Sequence, residues 1–476
     1  MKGVCKAIGG SFLLSLLLQG HSEELSQRMI NSEIAVRLDA IVEKFPQGAV
    51  SSIIVRNGET GAVLYAKNNN QNLMPASVQK VSTAIAAYDR LGSDFRYSTE
   101  VLSQAPASPS GNIKGGVQFL FTGDPSLTRD NLEHLLGSMK KQGVKRIEGT
   151  LWLDGSRYEG YASAEGVVWN DLKICFAAPS TAMILNRNCF YALLKPAGKV
   201  GRQAVIEYAR PEWPFQLINE VLTGSEGDNT CEPKSWDAEQ ARYQLTGCVA
   251  KDRSPLRMAF AVKKPEQAIK QFVEKTLRQK GIIHNGAVVI GQPNTSFTHK
   301  LAEHHSEPLS ALLVFMLATS DNLYADSIIK TLGHYHQLQA GTYENGVQAL
   351  TGTLEHLGAS LESGHVEDGS GLSRYNLVSA SALSGVLLAG WRKWGRDMPW
   401  LQGTNRDYWY KTGRMKDVRA MAGYVFPKNG TLKVFVILLN GLVPGHDSST
   451  EKATRFWANI REQQQAFINE LLNKSS

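Results

Sequence analysis

The chain has 476 residues, of which 42% are hydrophobic and 20% charged, a balance that excludes intrinsic disorder and a coiled coil. With 43 glycines and 17 prolines, collagen-like and low-complexity readings are excluded too. Lys+Arg exceed Asp+Glu by only 51 to 44, and no basic run concentrates the net +7, so nucleic acid is not an expected partner. At roughly 150 residues per domain the length suggests about three domains.

Lys2 and Lys6 precede the apolar run Ser11 to Leu18, and Gly20-His21-Ser22 supplies small residues after it. A basic start, a short apolar stretch and a small-residue exit predict a secretory signal over residues 1–22, cleaved near Ser22. The apolar stretch is shorter than the ~20 residues of a spanning helix. Ile34, Leu38, Ile41, Val42 and Phe45 then have helical spacing. Next come two β-rich runs, Val50 to Val55 and Ala62 to Tyr65, flanking Asn57-Gly58 and predicting a hairpin. A polar loop leads into a helix carrying Val81, Ala84, Ile85 and Tyr88 and stopped by Gly92.

From about 97 to 293 the texture is β-rich, with short runs at Val117–Phe121, Gly149–Leu153, Ala204–Tyr208 and Ala287–Ile290 and helical stretches near 131–142 and 265–280. A loop of this length would be implausible in a folded protein, so the region is expected to be an insert of two small domains. All four cysteines beyond the signal fall in it: Cys175, Cys189, Cys231 and Cys248. An even number in an exported chain suggests two disulfides, with three connectivities open. Spacings of 14 and 17 make sequential pairs the simplest choice. Each such loop would contribute about 3 kcal/mol. No cysteine pair has the close spacing of a zinc site, and His304, His305, His334 and His336 read as surface histidines. Neither a metal nor a cofactor is expected.

Helical texture resumes over 308–317 and 323–332. A second hairpin follows, Met421–Phe426 and Leu432–Leu439 around Pro427 to Gly430. The last helix places Phe456, Trp457, Ile460, Phe467, Ile468 and Leu471 on one side, a face suited to packing on a sheet.

Three short motifs stand in order: Ser77-Val-Gln-Lys80, Ser320-Asp-Asn322 and Lys411-Thr-Gly413. Ser-x-x-Lys also begins at Ser138, Ser327 and Ser449, but only Ser77 opens an apolar helix after a hairpin and loop. Residues three apart share a helix face, so Lys80 can reach the Ser77 hydroxyl. A serine is a poor nucleophile until a base takes its proton, and a desolvated lysine near other cations can serve. Lys411 and Asn322 are suitable neighbours, Ser320 can relay a proton to a leaving amine, and the helix start at Ser77 offers an N–H to an oxyanion.

This arrangement resembles the penicillin-recognising serine enzymes. Ser77 and Ser320 lie 243 positions apart, far more than in a class A β-lactamase. A large insertion there is the mark of the type-4 penicillin-binding proteins, the D-alanyl-D-alanine carboxypeptidase/endopeptidase family. Thr122-Gly-Asp-Pro-Ser-Leu127, Ala178-Pro179, Asn188-Cys189, Thr246-Gly-Cys248 and Asp368 to Asn376 are similar to segments of that family.

The resemblance implies an α+β fold: a penicillin-binding/β-lactamase-like peptidase domain, an antiparallel sheet flanked by helices, built from residues 23–96 and 294–476 with the β-rich insert 97–293 between. It implies Ser77 as nucleophile, Lys80 as base, Ser320 and Asn322 lining the cleft, Lys411 opposite, Thr412 on the substrate carboxylate, and the Arg414 N–H beside that of Ser77 in the oxyanion hole, with Gly413 in the binding strand. It further implies a periplasmic enzyme acting on peptidoglycan stem peptides or their cross-links, with β-lactams as covalent inhibitors and loose membrane association allowed. The competing readings are a β-lactamase and a catalytically weak peptidoglycan-binding protein. Two departures stand out. Arg414 occupies a position where the family usually carries Thr or Ser, and shares a strand face with Thr412. Asn376 and Lys411 are only 35 positions apart, with no Gly-x-Asp-Gly-type loop between them.

Overall fold

The run Lys433–Asn440 carries Val434, Phe435, Val436, Ile437, Leu438 and Leu439 without a polar break, and all six are fully buried. Continuous apolar character means burial on both faces. A computed structural model of the chain accordingly puts this strand in the middle of a five-stranded antiparallel sheet. The order is Tyr408–Met415, Val418–Val425, Lys433–Asn440, Val50–Asn57 and Val63–Lys67. The structure describes residues 33–208, 216–228, 230–238, 242–403, 407–428, 430–445 and 450–472. The signal expected over 1–22, with Lys2, Lys6 and Ser22, lies outside the described residues. Among the described residues no helix is long and apolar enough to cross a membrane.

The chain divides into two compact units, residues 1–78 with 378–476, and residues 79–377. The borders expected for the insert, near 97 and 293, both fall inside the second unit.

In the first unit, one sheet face packs against the helix 33–42 and the last helix, Thr450–Leu472. Ile34, Leu38, Ile460, Phe467, Ile468 and Leu471 meet Ile53, Val55, Phe435, Ile437 and Leu439 there, and Phe456 and Trp457 flank them. The apolar side of the last helix therefore covers the sheet, as its spacing predicts. The other face carries the helix Ala380–Trp394, whose Leu387 carbonyl accepts a 2.8 Å hydrogen bond from Tyr424 Oη. Ser379 caps that helix by accepting from Ala382 N at 3.1 Å. Both predicted hairpins are strands of this sheet.

In the second unit three of the predicted insert strands join a five-stranded mixed sheet, ordered Val288–Ile290, Leu151–Asp154, Val117–Phe121, Ser98–Ser103 and His299–His305, while the fourth, Val205–Tyr208, pairs with Cys189–Lys195 in a three-stranded sheet. Its parallel neighbours Val117–Phe121 and Leu151–Asp154 are linked through the helix Arg129–Lys141, the connection that parallel pairing demands. Leu132, Leu135, Leu136 and Met139 of that helix join Val117, Phe119, Leu151 and Leu153 in one core, with Ile269 and Val273 from the helix Pro265–Gln279. A second core gathers Phe190, Leu194, Tyr243, Leu245 and Phe260 from the smaller sheets. The two disulfides are the sequential pairs, Cys175–Cys189 and Cys231–Cys248. Helices Gln79–Leu91, Leu309–Thr319, Asn322–Gln337 and Tyr343–His356 form the helical part of this unit.

Candidate active site

The residues singled out by the three motifs fall into two groups, one in each unit. In the first unit, Ser77 lies in a 3-10 turn, Ala76–Val78, entered by Ala76 at φ 48°. The α-helix proper starts at Gln79, two residues later than the helical spacing predicts. Within this unit the strand Tyr408–Met415 runs close to the turn. A Cβ on Gly413 would stand 2.6 Å from the Pro75 carbonyl oxygen and 3.0 Å from Ala76 Cβ. Only glycine lets the Lys-Thr-Gly strand approach the serine turn so closely. Burial alternates along the strand: Lys411 and Gly413 are buried, Thr412 is half-buried and Arg414 exposed, the period-two pattern of a pleated strand. Lys411 Nζ donates to the Thr412 carbonyl at 2.9 Å. Burial pushes its ammonium down to about 8, and the nearby Arg414 guanidinium acts in the same direction.

In the second unit, Lys80 is fully buried on the first turn of the helix Gln79–Leu91. Its Nζ donates to Asn322 Oδ1 at 2.6 Å and to the Ser370 carbonyl at 2.7 Å. Asn322 is the first residue of its helix, capped by Asp321, whose carboxylate accepts from Tyr324 N at 3.2 Å. Ser320 ends the preceding helix in the left-handed conformation, φ 58°. The Ser-x-Asn motif is thus a two-residue hinge between helices, one reason its side chains project rather than pack. Asn322 Nδ2 donates to the Phe176 carbonyl at 2.7 Å. Its amide is thereby fixed: oxygen toward Lys80 Nζ, nitrogen toward a carbonyl.

Ser370 belongs to the loop from Asp368 to Asn376. Asp368 accepts from Gly371 N at 2.6 Å, Ser373 N at 2.7 Å and Asn376 Nδ2 at 3.0 Å. Thr83 Oγ1 donates to the Gly369 carbonyl at 2.7 Å, so the helix of Lys80 grips the loop twice. Below Lys80 lies Asp326, one helical turn beyond Asn322 and buried. Burial holds its carboxyl well above the usual range and Asp368 adds repulsion, while Lys80 and Ser370 oppose the shift. Lys330, a further turn along, donates to the Tyr161 and Ser180 carbonyls at 2.7 and 2.8 Å. Burial lowers it to about 8.

The motif side chains were legible in sequence. The Phe176 and Ser370 contributions were not, because a carbonyl oxygen belongs to every residue type. Asp326 carried a signal that the motif reading passed over: an acid four positions after Asn322 and four before Lys330, on one face of the helix. Chemically, the two groups offer different things. One offers a hydroxyl on a tight turn beside a strand with a low-pKa lysine. The other offers an oriented amine and amide.

Comparison with known proteins agrees. The sequence profile of the D-Ala-D-Ala carboxypeptidase 3 (S13) family matches residues 34–402. The chain is 31% identical over 468 residues to the D-alanyl-D-alanine carboxypeptidase DacB of Haemophilus influenzae, covering 93% of this chain and 94% of the relative. It is 27% identical to a D-alanyl-D-alanine carboxypeptidase of an Actinomadura species, covering 86% and 81%. The crystal structure of penicillin binding protein 4 (dacB) from Haemophilus influenzae superposes with a TM-score of 0.82 at 30% identity, over 92% of this chain and 99% of that one. The same protein complexed with a β-lactam gives 0.76 at 28% identity, over 90% and 99%. The α+β penicillin-binding fold with inserted β-rich parts is therefore the fold of this chain.

Proposed function

The chain belongs to the D-Ala-D-Ala carboxypeptidase 3 (S13) family of serine carboxypeptidases acting on peptidoglycan, and on that footing we propose that it works through an acyl-enzyme on Ser77, in the periplasm, on both terminal D-Ala-D-Ala bonds and D-Ala cross-links. Ser77 Oγ attacks the carbonyl carbon of the penultimate D-alanine while Lys80 takes the hydroxyl proton. The tetrahedral oxyanion sits on the Ser77 and Arg414 N–H groups, which are preorganised donors. Collapse breaks the C–N bond, and the amine leaves with a proton relayed through Ser320. Water then hydrolyses the ester by the same route in reverse. Asn322 holds the substrate's peptide amide with the second N–H of its Nδ2. Lys411, Thr412 and Arg414 receive the terminal carboxylate.

The observation that carries this reading is the setting of Lys80. Its Nζ is held by two neutral oxygens, Asn322 Oδ1 and the Ser370 carbonyl, three residues along the chain from Ser77. Two fixed acceptors orient the amine beside the serine turn, as a base for serine requires. That the Haemophilus influenzae relative was solved in complex with a β-lactam supports β-lactam binding here.

The test is acylation. Exposure to penicillin should raise the intact mass by one ligand, and Ser77→Ala should abolish the increase. Labelling that persists in that variant would refute the nucleophile. Purified monomeric and cross-linked muropeptides, followed by mass analysis, should both be cut. Hydrolysis of penicillin in place of muropeptides would favour a β-lactamase, and penicillin labelling with no muropeptide turnover a weak binding protein.

A further inference from the structure

The loop between Cys175 and Cys189 is closed at its neck by their disulfide, Cα to Cα 5.3 Å. Both strands of that neck touch the Ser320-Asp321-Asn322 motif. One residue after Cys175, the Phe176 carbonyl accepts from Asn322 Nδ2 at 2.7 Å. Two residues before Cys189, Arg187 Nη1 pairs with Asp321 Oδ2 at 3.1 Å. The other guanidinium nitrogen donates to Tyr191 Oη at 2.8 Å, on the strand Cys189–Lys195 that leaves the disulfide.

The backbone that delivers Arg187 is unusual. Asn186, Arg187 and Asn188 have φ of 50°, 58° and 48° in succession, a region L-residues avoid. Side-chain contacts hold it there. Asn188 Oδ1 accepts from Leu185 N and its Nδ2 donates to the Pro179 carbonyl, each at 3.0 Å, while Asn186 Oδ1 accepts from Arg129 N at 3.1 Å. Strain kept in place by its surroundings points toward use. What the strained turn presents is a guanidinium aimed at the residue between Ser320 and Asn322. The motif needs outside support, since Ser320 is itself left-handed and the segment is a hinge between two helices.

We propose that the disulfide-closed loop Cys175–Cys189 positions the Ser320–Asp321–Asn322 segment for acylation, acting through Arg187 on Asp321 and through the Phe176 carbonyl on Asn322. Arg187 is a positioning residue in this assignment. It fixes Asp321, which caps the helix, and so fixes the angle from which Asn322 meets Lys80. The Phe176 carbonyl fixes the sense of the Asn322 amide, because a flipped amide would turn its NH2 toward the donating Nζ of Lys80. The inference rests on the acyl-enzyme reading above and adds that the insert completes the reactive geometry.

The full mature protein is compared with variants by its acylation rate at saturating penicillin. Arg187→Ala should slow acylation on the order of tenfold to a hundredfold, the scale of a small misplacement in a reacting group. Arg187→Lys should recover part of the loss. Asp321→Asn keeps a capping acceptor for Tyr324 N but loses the ion pair, and should match Arg187→Ala. The double variant should fall no further than either single one, since both remove one interaction. Cys175→Ser with Cys189→Ser should slow acylation, whereas Cys231→Ser with Cys248→Ser, in a separate sheet, should leave it within about twofold. Additive losses, an unchanged rate in Arg187→Ala, or equal slowing by both cysteine pairs would overturn the proposal. If the first cysteine pair prevents folding, the Arg187 and Asp321 series decides alone. A wild-type protein not labelled on Ser77 would instead refute the acyl-enzyme reading, so the two failures are distinguishable.

Discussion

Lys80 and Lys411 are both buried lysines, and their surroundings are opposites. Lys80 faces oxygens: the Asn322 amide, the Ser370 carbonyl and, behind them, the buried Asp326. Lys411 sits on a sheet strand with a carbonyl on one side and a second cation, Arg414, nearby. The first setting fixes the direction of an amine. The second concentrates positive charge and makes it easy to discharge. Under the proposed mechanism the same residue type would serve proton transfer in one region and anion attraction in the other, and the difference comes from neighbours alone.

The contrast can be broken most directly at Lys80. Lys80→Met keeps the apolar stem and removes the base, so penicillin acylation should fall by about 10²- to 10⁴-fold; a loss as small as that of a binding residue would erase the distinction between the two lysines. Next is Arg414→Thr. Charge-assisted bonds to a carboxylate are worth roughly 1.5–3 kcal/mol, so kcat/KM on a peptide with a free C-terminus should drop about ten- to a hundredfold. A matched amidated peptide should lose little. Equal losses on both, or faster turnover, would mean that Arg414 obstructs the cleft.

The pH dependence sharpens the comparison with a smaller effect. The Lys411 ammonium lies below its ordinary 10.5, at about 8, so its charge is present below that pH and lost above it. Turnover of the free-acid peptide should decline relative to the amidated one as pH rises through about 8, and Arg414→Thr should move that decline to higher pH. A ratio flat with pH would show that Lys411 does not attract the carboxylate. The smallest effect on chemistry belongs to the second disulfide. Removing Cys231 and Cys248 should lower unfolding free energy by about 3 kcal/mol, measured in denaturant, without altering the pH profile.

Side-chain chemistry in this molecule was readable from sequence, and backbone chemistry was not. Ser77, Lys80, Asn322 and Lys411 announce themselves by type and order, and the apolar run Leu432–Leu439 reads as a hairpin strand, its central place in the sheet being a matter of pairing with Val50–Asn57. The helix Ala380–Trp394 was missed because Ser381, Ser384, Gly385 and Gly390 dilute its pattern; contact with the sheet overrides their weak propensity. Phe176 and Ser370 act through carbonyls, for which no residue type is a signal. Arg187 matters through a left-handed backbone that asparagine neighbours make tolerable, a conformation that Asn-Arg-Asn only hints at. The Ser77 turn is 3-10 where helical spacing predicts α, since local spacing does not distinguish a tightened first turn.

The pairing of Ile54 with Val436 has a consequence for how the chain comes into being. The sheet of the first unit joins strands that precede the second unit in the chain to strands that follow it, with the whole second unit synthesised in between. The second unit can fold as soon as it emerges, while Val50–Asn57 must wait, unpaired, for Lys433–Asn440. The turn that bears Ser77 acquires its neighbouring Lys-Thr-Gly strand only after the second unit has been made. A product truncated before Tyr408 would therefore lack the strand beside Ser77, and under the proposed mechanism it would be inert.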